Sequence, residues 1–310
     1  APKASDAWAR LSDRTVQSHS TSPSPKNETA SSRNSIEKWY IIWGPDNDPM
    51  DTHENFPVSV ALFRNRMVWP LSDFRKGKMM RNELVLVRHS DEPADDRVFT
   101  YARMNGLVPI EKFPFRGDLL GSPAENTLGT VVYGGMFNVF EEEKHPFLHE
   151  ENRWISACMD ANLPVLGLCQ GAQQIARILG ANVGPKPDNR HEFGYYEVTP
   201  TTEAGTFLTE PLHFTQAHFH TFDVPKDAVH LARSTGFDNQ AFRYGKNVYG
   251  LQFHPECTIE GFRRWQKNSP SEGSLGAQNR AEQNRLMMTH DAAQAAWFYD
   301  FMSKLFGTAA

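Results

Sequence analysis

Cysteine is scarce in this chain of 310 residues, which contains only Cys158, Cys169 and Cys257. An odd, low number argues against a disulfide framework and favours a reducing compartment, so we expect a cytoplasmic protein. No C-x-x-C pair occurs. That argues against a site of clustered cysteines, and we expect no bound metal.

Cations are not in excess either, because 32 Lys and Arg residues stand against 37 Asp and Glu residues, for a formal net charge of −5. Nucleic acids and anionic membrane surfaces require clustered cations, so we expect neither as a partner. No apolar run is long enough to span a bilayer. The motifs G-x-x-x-x-G-K-[ST] and G-x-G-x-x-G are both missing, and we predict no nucleotide site of those types and no cofactor.

Large apolar side chains are nearly missing from residues 18–35, which are rich in Ser, Thr, Pro and Asn. Such a segment cannot bury enough surface to offset its ordering entropy. We therefore predict a low-complexity, poorly ordered N-terminal extension over residues 1–82 and a folded domain over residues 83–308. Met79 and Met80 directly precede the first clear strand, and one hypothesis is that the natural chain starts there. N-terminal sequencing of the native protein tests it.

From residue 83 onward, short apolar strands alternate with helical segments, which indicates a parallel α/β sheet. The first three predicted strands and the helices that follow them cover residues 83–88, 95–105, 128–133, 150–161, 164–168 and 170–179. Beyond Gly194 the pattern changes to shorter strands, and a long helix closes the chain. These later elements cover residues 195–199, 229–233, 240–244, 248–253 and 281–305.

The segment Gly167-Leu-Cys-Gln-Gly171 lies between a predicted strand and a predicted helix. It matches the nucleophile-elbow pattern G-x-[nucleophile]-x-G, with Cys169 as the nucleophile. The glycines let strand and helix pack closely at a strained turn, and the helix N-terminus favours thiolate over thiol. The backbone N–H of Gln170 would face an oxyanion on the attacked carbonyl. The alternative is a simple turn with a buried cysteine.

A second motif, His254-Pro-Glu256, follows the predicted strand 248–253. Open α/β sheets gather their catalytic groups at this edge. A thiol nucleophile needs a base and later an acid, which His254 can supply, and Glu256 can orient the imidazole. A glycine pair ends another strand, where the N–H of Gly135 can turn towards a ligand. We predict a catalytic triad of Cys169, His254 and Glu256.

Three separated motifs, Val165–Gln173, Gly134-Gly135 and Gln252–Glu256, resemble those of the class I (triad) glutamine amidotransferases. The closer similarity is to the free-standing members related to the amidotransferase domain of GMP synthase. The resemblance implies an α/β, flavodoxin-like fold with an open, mostly parallel sheet and helices on both faces. It also implies that Cys169 hydrolyses the side-chain amide of glutamine through a γ-glutamyl thioester and releases ammonia.

The resemblance assigns further residues to the site. Gly135 and Gln170 would supply the oxyanion N–H groups, and Gln173 matches a family residue that helps hold the substrate glutamine. His218 matches a histidine of a Trp-His-Gly-Asp-Thr-Phe-like segment, in which His220 replaces the acid. On spacing alone, Gln173 could equally be a surface helix residue, and both histidines could be rim residues.

The motifs leave the substrate open. A γ-glutamyl peptidase forms the same thioester from a γ-glutamyl peptide such as glutathione. A third alternative is a regulatory binding protein that keeps the fold without turnover, against which the intact Cys-His-Glu set argues. The chain holds no recognisable synthetase domain. We therefore expect either a synthetase partner that consumes the ammonia or water as the usual acceptor.

Overall fold

The computed structural model describes residues 81–307 apart from Pro270 and Glu272. The predicted extension over residues 1–82 lies outside this range except for its last two residues, and its disorder stays a prediction. The strands of the described part are β1 (Glu83–Val87), β2 (Val108–Lys112), β3 (Thr127–Val132), β4 (Val165–Leu168), β5 (Val183–Pro185), β6 (Glu192–Pro200), β7 (Leu212–His218), β8 (His220–Phe222), β9 (Ala228–Ser234), β10 (Ala241–Tyr244) and β11 (Val248–Leu251). The helices are α1 (Arg97–Met104), α2 (Phe147–Asp160), α3 (Gln170–Ile178), α4 (Ile259–Asn268) and α5 (Arg280–Phe306).

Five parallel strands form one half of a nine-stranded sheet, in the order β2-β1-β3-β4-β11. With β11 counted as the fifth strand, this is the 2-1-3-4-5 order of flavodoxin-like folds. The predicted fold class is therefore confirmed. The other half of the sheet is antiparallel and continues from β11 through β10, β9 and β6 to β7.

Alternate residues of β1 enter two different hydrophobic cores because successive side chains of a strand point to opposite faces. Leu84 and Leu86 pack into the core that includes residues of α1 and α5. Val85 and Val87 pack into the core that includes residues of α2 and α3. Burial of each such side chain contributes about 1.5–3 kcal/mol, so both faces of the parallel strands hold the sheet in place.

The register of the parallel strands brings the candidate motifs together. Leu168 at the end of β4 pairs with Leu251 at the end of β11, and Val132 at the end of β3 pairs with Gly167. The backbone N–H of Cys169 then donates to the carbonyl of Leu251 at 2.7 Å. The segments that follow β3, β4 and β11 therefore leave the sheet at the same edge.

Candidate active site

Cys169 occupies the turn between β4 and α3 with φ of 48° and ψ of −102°. A positive φ at a non-glycine residue is strained and costs about 1–3 kcal/mol, which the surrounding structure must impose. Glycines make the turn possible. A Cβ at Gly171 would lie 2.1 Å from the carbonyl oxygen of Val132, and a Cβ at Gly167 would lie 2.5 Å from the backbone of Gly171. The elbow thus requires glycine on both sides of the cysteine.

His254 and Glu256 form a buried pair beside the elbow, with Nδ1 of the imidazole 2.7 Å from Oε1 of the carboxylate. Burial alone lowers the pKa of His254, but the charges of Glu256 and Cys169 outweigh it and raise that pKa to about 10. The imidazole is therefore held as a cation at neutral pH, ready to donate a proton.

Two further contacts fix the position of His254. Its backbone N–H donates to the carbonyl of Thr215 in β7 at 2.8 Å. The indole of Trp265 in α4 meets the imidazole edge to face, with 4.8 Å between the ring centroids. Trp265 is not predicted as a site residue from the sequence, because no local pattern connects this helix residue to the His-Pro-Glu motif.

The glycine pair after β3 lies against two members of the predicted triad, Cys169 and His254. A Cβ at Gly134 would lie 2.7 Å from Cε1 of His254 and 3.4 Å from Cβ of Cys169. A Cβ at Gly135 would lie 2.5 Å from the side chains of both Gln170 and His89. Side chains are therefore excluded here for reasons of space, which leaves the backbone as the surface that a substrate would meet.

Gln170, predicted to supply an oxyanion N–H, is the first residue of α3, where backbone N–H groups point out of the helix. The side chain of Gln170 makes a separate contact. The amide oxygen accepts a hydrogen bond from the backbone N–H of Phe137 at 3.1 Å. Gln170 therefore ties the loop after Gly135 to the elbow, a contact that the motif alone does not reveal.

Gln173 contacts another glutamine rather than solvent. Its Nε2 donates to Oε1 of Gln252 at 3.2 Å, and Nε2 of Gln252 lies 3.5 Å from Sγ of Cys169. Gln252 precedes the His-Pro-Glu motif by two residues. The two amides form a chain that ends at the candidate nucleophile, so Gln252, the first residue of the motif Gln252–Glu256, lies beside the candidate site.

His218 is buried at the end of β7 and held from two sides. Nε2 lies 3.0 Å from Oε2 of Glu192, and Nδ1 lies 3.0 Å from the carbonyl oxygen of His220. Ser234 and Gln240 donate to the same Glu192 carboxylate. His218 thus belongs to a buried hydrogen-bond network, and its role as a substrate contact stays a prediction.

A cavity of about 520 Å³ opens over the elbow and is lined by Gly135, Cys169, His254 and Glu256. Gln170, Gln173 and His218 are not among the described residues that line it. A second cavity, of about 600 Å³, is lined by none of the predicted site residues. Size alone therefore does not select the site, and the chemistry of the lining does.

Asp96, the N-cap of α1, lies in the same cavity. Its Oδ1 accepts hydrogen bonds from the N–H groups of Val98 and Phe99 and from the hydroxyl of Tyr133. Burial, aided by the nearby charge of Glu256, raises the pKa of Asp96 to about 7. The cavity thus contains two carboxyl groups whose charges are coupled.

The described part of the chain offers neither a cluster of metal ligands nor a membrane-spanning helix. Between residues 81 and 307, gaps aside, no group of three His, Cys, Asp or Glu side chains could hold a metal ion. No described helix is both long and apolar enough to cross a membrane.

Known proteins resemble this chain in sequence and in fold. The model of the class I glutamine amidotransferase family matches residues 105–265. The glutamine amidotransferase-like protein YfeJ of Salmonella typhimurium is 32% identical over 202 residues, which are 61% of this chain and 80% of YfeJ. A glutamine-hydrolysing GMP synthase of Vibrio parahaemolyticus is 32% identical over 139 residues, which are 43% of this chain but only 25% of that longer protein.

The fold agrees with these matches. A crystal structure of a glutamine amidotransferase from Thermotoga maritima superposes with a TM-score of 0.65 at 24% identity, over 74% of this chain and 99% of that one. A second glutamine amidotransferase, from Methylobacillus flagellatus, gives a TM-score of 0.66 at 22% identity, over 74% of this chain and 96% of that one. This chain therefore belongs to the class I glutamine amidotransferase family.

Proposed function

We propose that this protein hydrolyses the side-chain amide of glutamine through a γ-glutamyl thioester on Cys169 and releases ammonia. Membership of the family supports glutamine amide hydrolysis in general. The observation that carries the specific proposal is the cysteine at a strained helix N-terminus beside the buried His254–Glu256 pair. This is the arrangement of nucleophile, base and orienting acceptor that acyl transfer needs.

In the first half-reaction the Cys169 thiolate attacks the amide carbon, and the carbonyl oxygen becomes an oxyanion facing the backbone N–H groups of Gly135 and Gln170. The C–N bond then breaks. The leaving nitrogen takes a proton from His254, so ammonia departs and the thioester remains. Glu256 keeps the imidazole oriented and stabilises its positive charge.

In the second half-reaction water attacks the thioester carbon. The imidazole of His254, now neutral, accepts a proton from this water. Collapse of the second tetrahedral intermediate breaks the C–S bond. Glutamate leaves, the thiolate returns to Cys169, and the proton on His254 restores the starting state.

A second candidate is hydrolysis of a γ-glutamyl peptide. The cavity of about 520 Å³ is favourable to it, because this volume falls within the roughly 300–1,000 Å³ of sites for drug-sized ligands. The lining continues past the triad along α4, through Arg264 and Trp265 to Asn268. A substituent on the amide nitrogen would find space and polar groups there. Both candidates share the γ-glutamyl thioester.

Substrate panels separate the two candidates. Glutamine and γ-glutamyl dipeptides are supplied in parallel, with ammonia and free amino acid measured separately. A higher kcat/KM for ammonia release from glutamine supports the first candidate. A higher kcat/KM for release of the second amino acid from the γ-glutamyl dipeptide supports the second candidate. Cys169→Ala should abolish both, whereas Cys158→Ala, in the interior of α2, should abolish neither. If the wild type and Cys169→Ala bind these substrates equally well and neither hydrolyses them, the protein is a non-catalytic binding protein instead.

The fate of the ammonia also belongs to this proposal. The GMP synthase that this chain matches is about four times as long as the matched segment. We propose that a separate synthetase takes up the ammonia when one is bound and that the ammonia is otherwise released to water. The cytoplasmic location stays a prediction from the cysteine content.

A further inference from the structure

Arg97 sits at the start of α1 and binds the loop that carries Glu256. Its backbone N–H donates to the carbonyl of Glu256 at 3.0 Å, and its Nη1 donates to the carbonyl of Pro255 at 3.0 Å. The same Nη1 also donates to the carbonyl of Cys257. Arg97 thus donates hydrogen bonds to three consecutive carbonyl groups. The residue itself is only 4% exposed, so these bonds are buried.

Asp291 in α5 holds the other end of this guanidinium. Nη2 of Arg97 lies 2.7 Å from both carboxylate oxygens of Asp291. The hydroxyl of Tyr195 donates to the same carboxylate at 3.0 Å, which fixes its rotamer. Arg97 is buried and Asp291 is partly buried. Charge-assisted pairs of this bidentate kind are among the stronger polar contacts in proteins. Removal of Asp291 leaves the buried guanidinium without its charged partner.

Helix α5 makes a second supporting contact one turn further along, with Thr215 in strand β7. Gln294 accepts from the backbone N–H of Thr215 at 2.6 Å and donates to its hydroxyl at 3.1 Å. The carbonyl of Thr215 in turn accepts from the N–H of His254 at 2.8 Å. Asp291 and Gln294 are three residues apart and share a helix face. The same helix face therefore supports both members of the His254–Glu256 pair.

We propose that Arg97 and Asp291 are positioning residues for the reaction, a clamp through which α5 fixes the separation of Glu256 from His254. The inference rests on the proposed function of that pair. Arg97 and Asp291 both lie outside residues 105–265, the segment matched by the family model. One residue of the clamp therefore precedes the family's matched segment in the chain and the other follows it. Together they hold the loop of Glu256, which lies within that segment.

The test uses Arg97→Lys and Asp291→Asn in the full chain, because both keep approximate size and remove the paired geometry. We expect kcat to fall by roughly 10- to 100-fold in each, as for other small displacements of catalytic groups. KM should change little, because the clamp touches the loop and not the substrate. The double variant should be no worse than the more damaged single variant, since the two residues act as one unit.

Matched controls come from the same helix. Arg285 forms a bidentate pair with Glu282 on the surface of α5. Arg285→Lys therefore repeats the chemical change at an exposed pair and should leave kcat unchanged. Circular dichroism and thermal denaturation establish that each variant is folded before its kinetics are compared.

A readout independent of turnover keeps the clamp separate from the proposed function. The rate of Cys169 alkylation by iodoacetamide is measured against pH, and its midpoint should move to higher pH in the folded Arg97 and Asp291 variants. An unchanged kcat or an unchanged alkylation profile in these variants would overturn the clamp. A wild-type protein that hydrolyses no γ-glutamyl compound would instead overturn the proposed function, while the alkylation profiles would still decide the clamp.

Discussion

His254 and Glu256, which are separated in the chain by a single proline, are joined by a buried 2.7 Å hydrogen bond. Because Nδ1 of the imidazole is occupied by the carboxylate, Nε2 is the ring nitrogen left for Cys169, whose charge also raises the pKa of the ring. The carboxylate thus decides both the orientation and the charge of the imidazole.

Neutralising this carboxylate should damage catalysis more than stability. In Glu256→Gln we expect kcat for glutamine to fall roughly 100-fold or more, because the imidazole loses its orienting charge. Glu260→Gln provides the control, since Glu260 is exposed in the first turn of α4. Steady-state kinetics and a melting curve for each variant make the comparison. Equal kcat values for Glu256→Gln and wild type would remove Glu256 from the mechanism.

The pH dependence of the rate should follow the imidazolium. Because the pKa of His254 is raised to about 10, the proton needed by the leaving ammonia is present at neutral pH and is lost as pH rises through about 10. Stability from this charge interaction follows the same course. It is complete below the ordinary pKa of 6.5 and is lost through about pH 10.

Changing Glu256 should move this alkaline limb. In Glu256→Gln one of the charges that raise the pKa of His254 is gone, so the limb of kcat/KM should shift to lower pH. The profile is measured on both proteins with glutamine. A limb at the same pH in both would contradict the assignment of that limb to His254.

A methyl group added at Gly134 should displace the catalytic pair without unfolding the protein. The new Cβ would lie 2.7 Å from Cε1 of His254, closer than carbon atoms approach, so the ring must move. We expect Gly134→Ala to lower kcat by roughly 100-fold, as small misplacements of catalytic groups do. Gly184→Ala is the control, since nothing lies within 4 Å of its added Cβ. Wild-type kcat in Gly134→Ala would show that the ring tolerates another position.

Asp96 should make stability depend on pH in the direction opposite to most carboxylates. Its pKa is about 7 in the folded protein against an ordinary value of 3.8, so over this interval the folded state holds a proton that the unfolded chain releases. Stability therefore falls as pH rises from about 4 to about 7. Asn also caps helices well, so Asp96→Asn keeps the helix start and removes the titration.

Melting temperatures at about pH 5 and about pH 8 test this point. Between the two, the wild type should lose stability relative to Asp96→Asn, while Asp300→Asn, at an exposed position of α5, should follow the wild type. A difference between wild type and Asp96→Asn that stays constant with pH would exclude the titration of Asp96 in this range.

The central parallel strands could be predicted because a strand that is buried on both faces consists of a short apolar run in the sequence. Strands β1, β3 and β4 are short apolar runs covered by helices on both faces, and such runs differ clearly from their surroundings. The sheet-edge strand β2 reads Val-Pro-Ile-Glu-Lys and is only partly buried, so it carries no comparable signal. Helix α4 was missed for a similar reason, since few of its residues are buried.

The motifs located Cys169, His254 and Glu256, because each residue lies where a strand ends and strand ends can be read locally. Their supports could not be found in this way. Arg97 and Asp291 are 194 residues apart, and nothing in either local sequence specifies the other. Trp265 likewise contacts His254 only because the fold packs helix α4 against the His-Pro-Glu loop. Contacts of this kind depend on packing between elements and need the three-dimensional structure.

The central claim is that Cys169 is the nucleophile, and the glutamine analogue diazo-oxo-norleucine tests it most directly. The carbon that bears the diazo group takes up a proton, and attack by Sγ on that carbon expels nitrogen and leaves a stable thioether, which mass spectrometry of peptides locates. We predict one adduct per chain, on Cys169, that is lost in Cys169→Ala and kept in Cys158→Ala. An adduct on any other residue, or equal labelling of Cys169→Ala, would contradict the account.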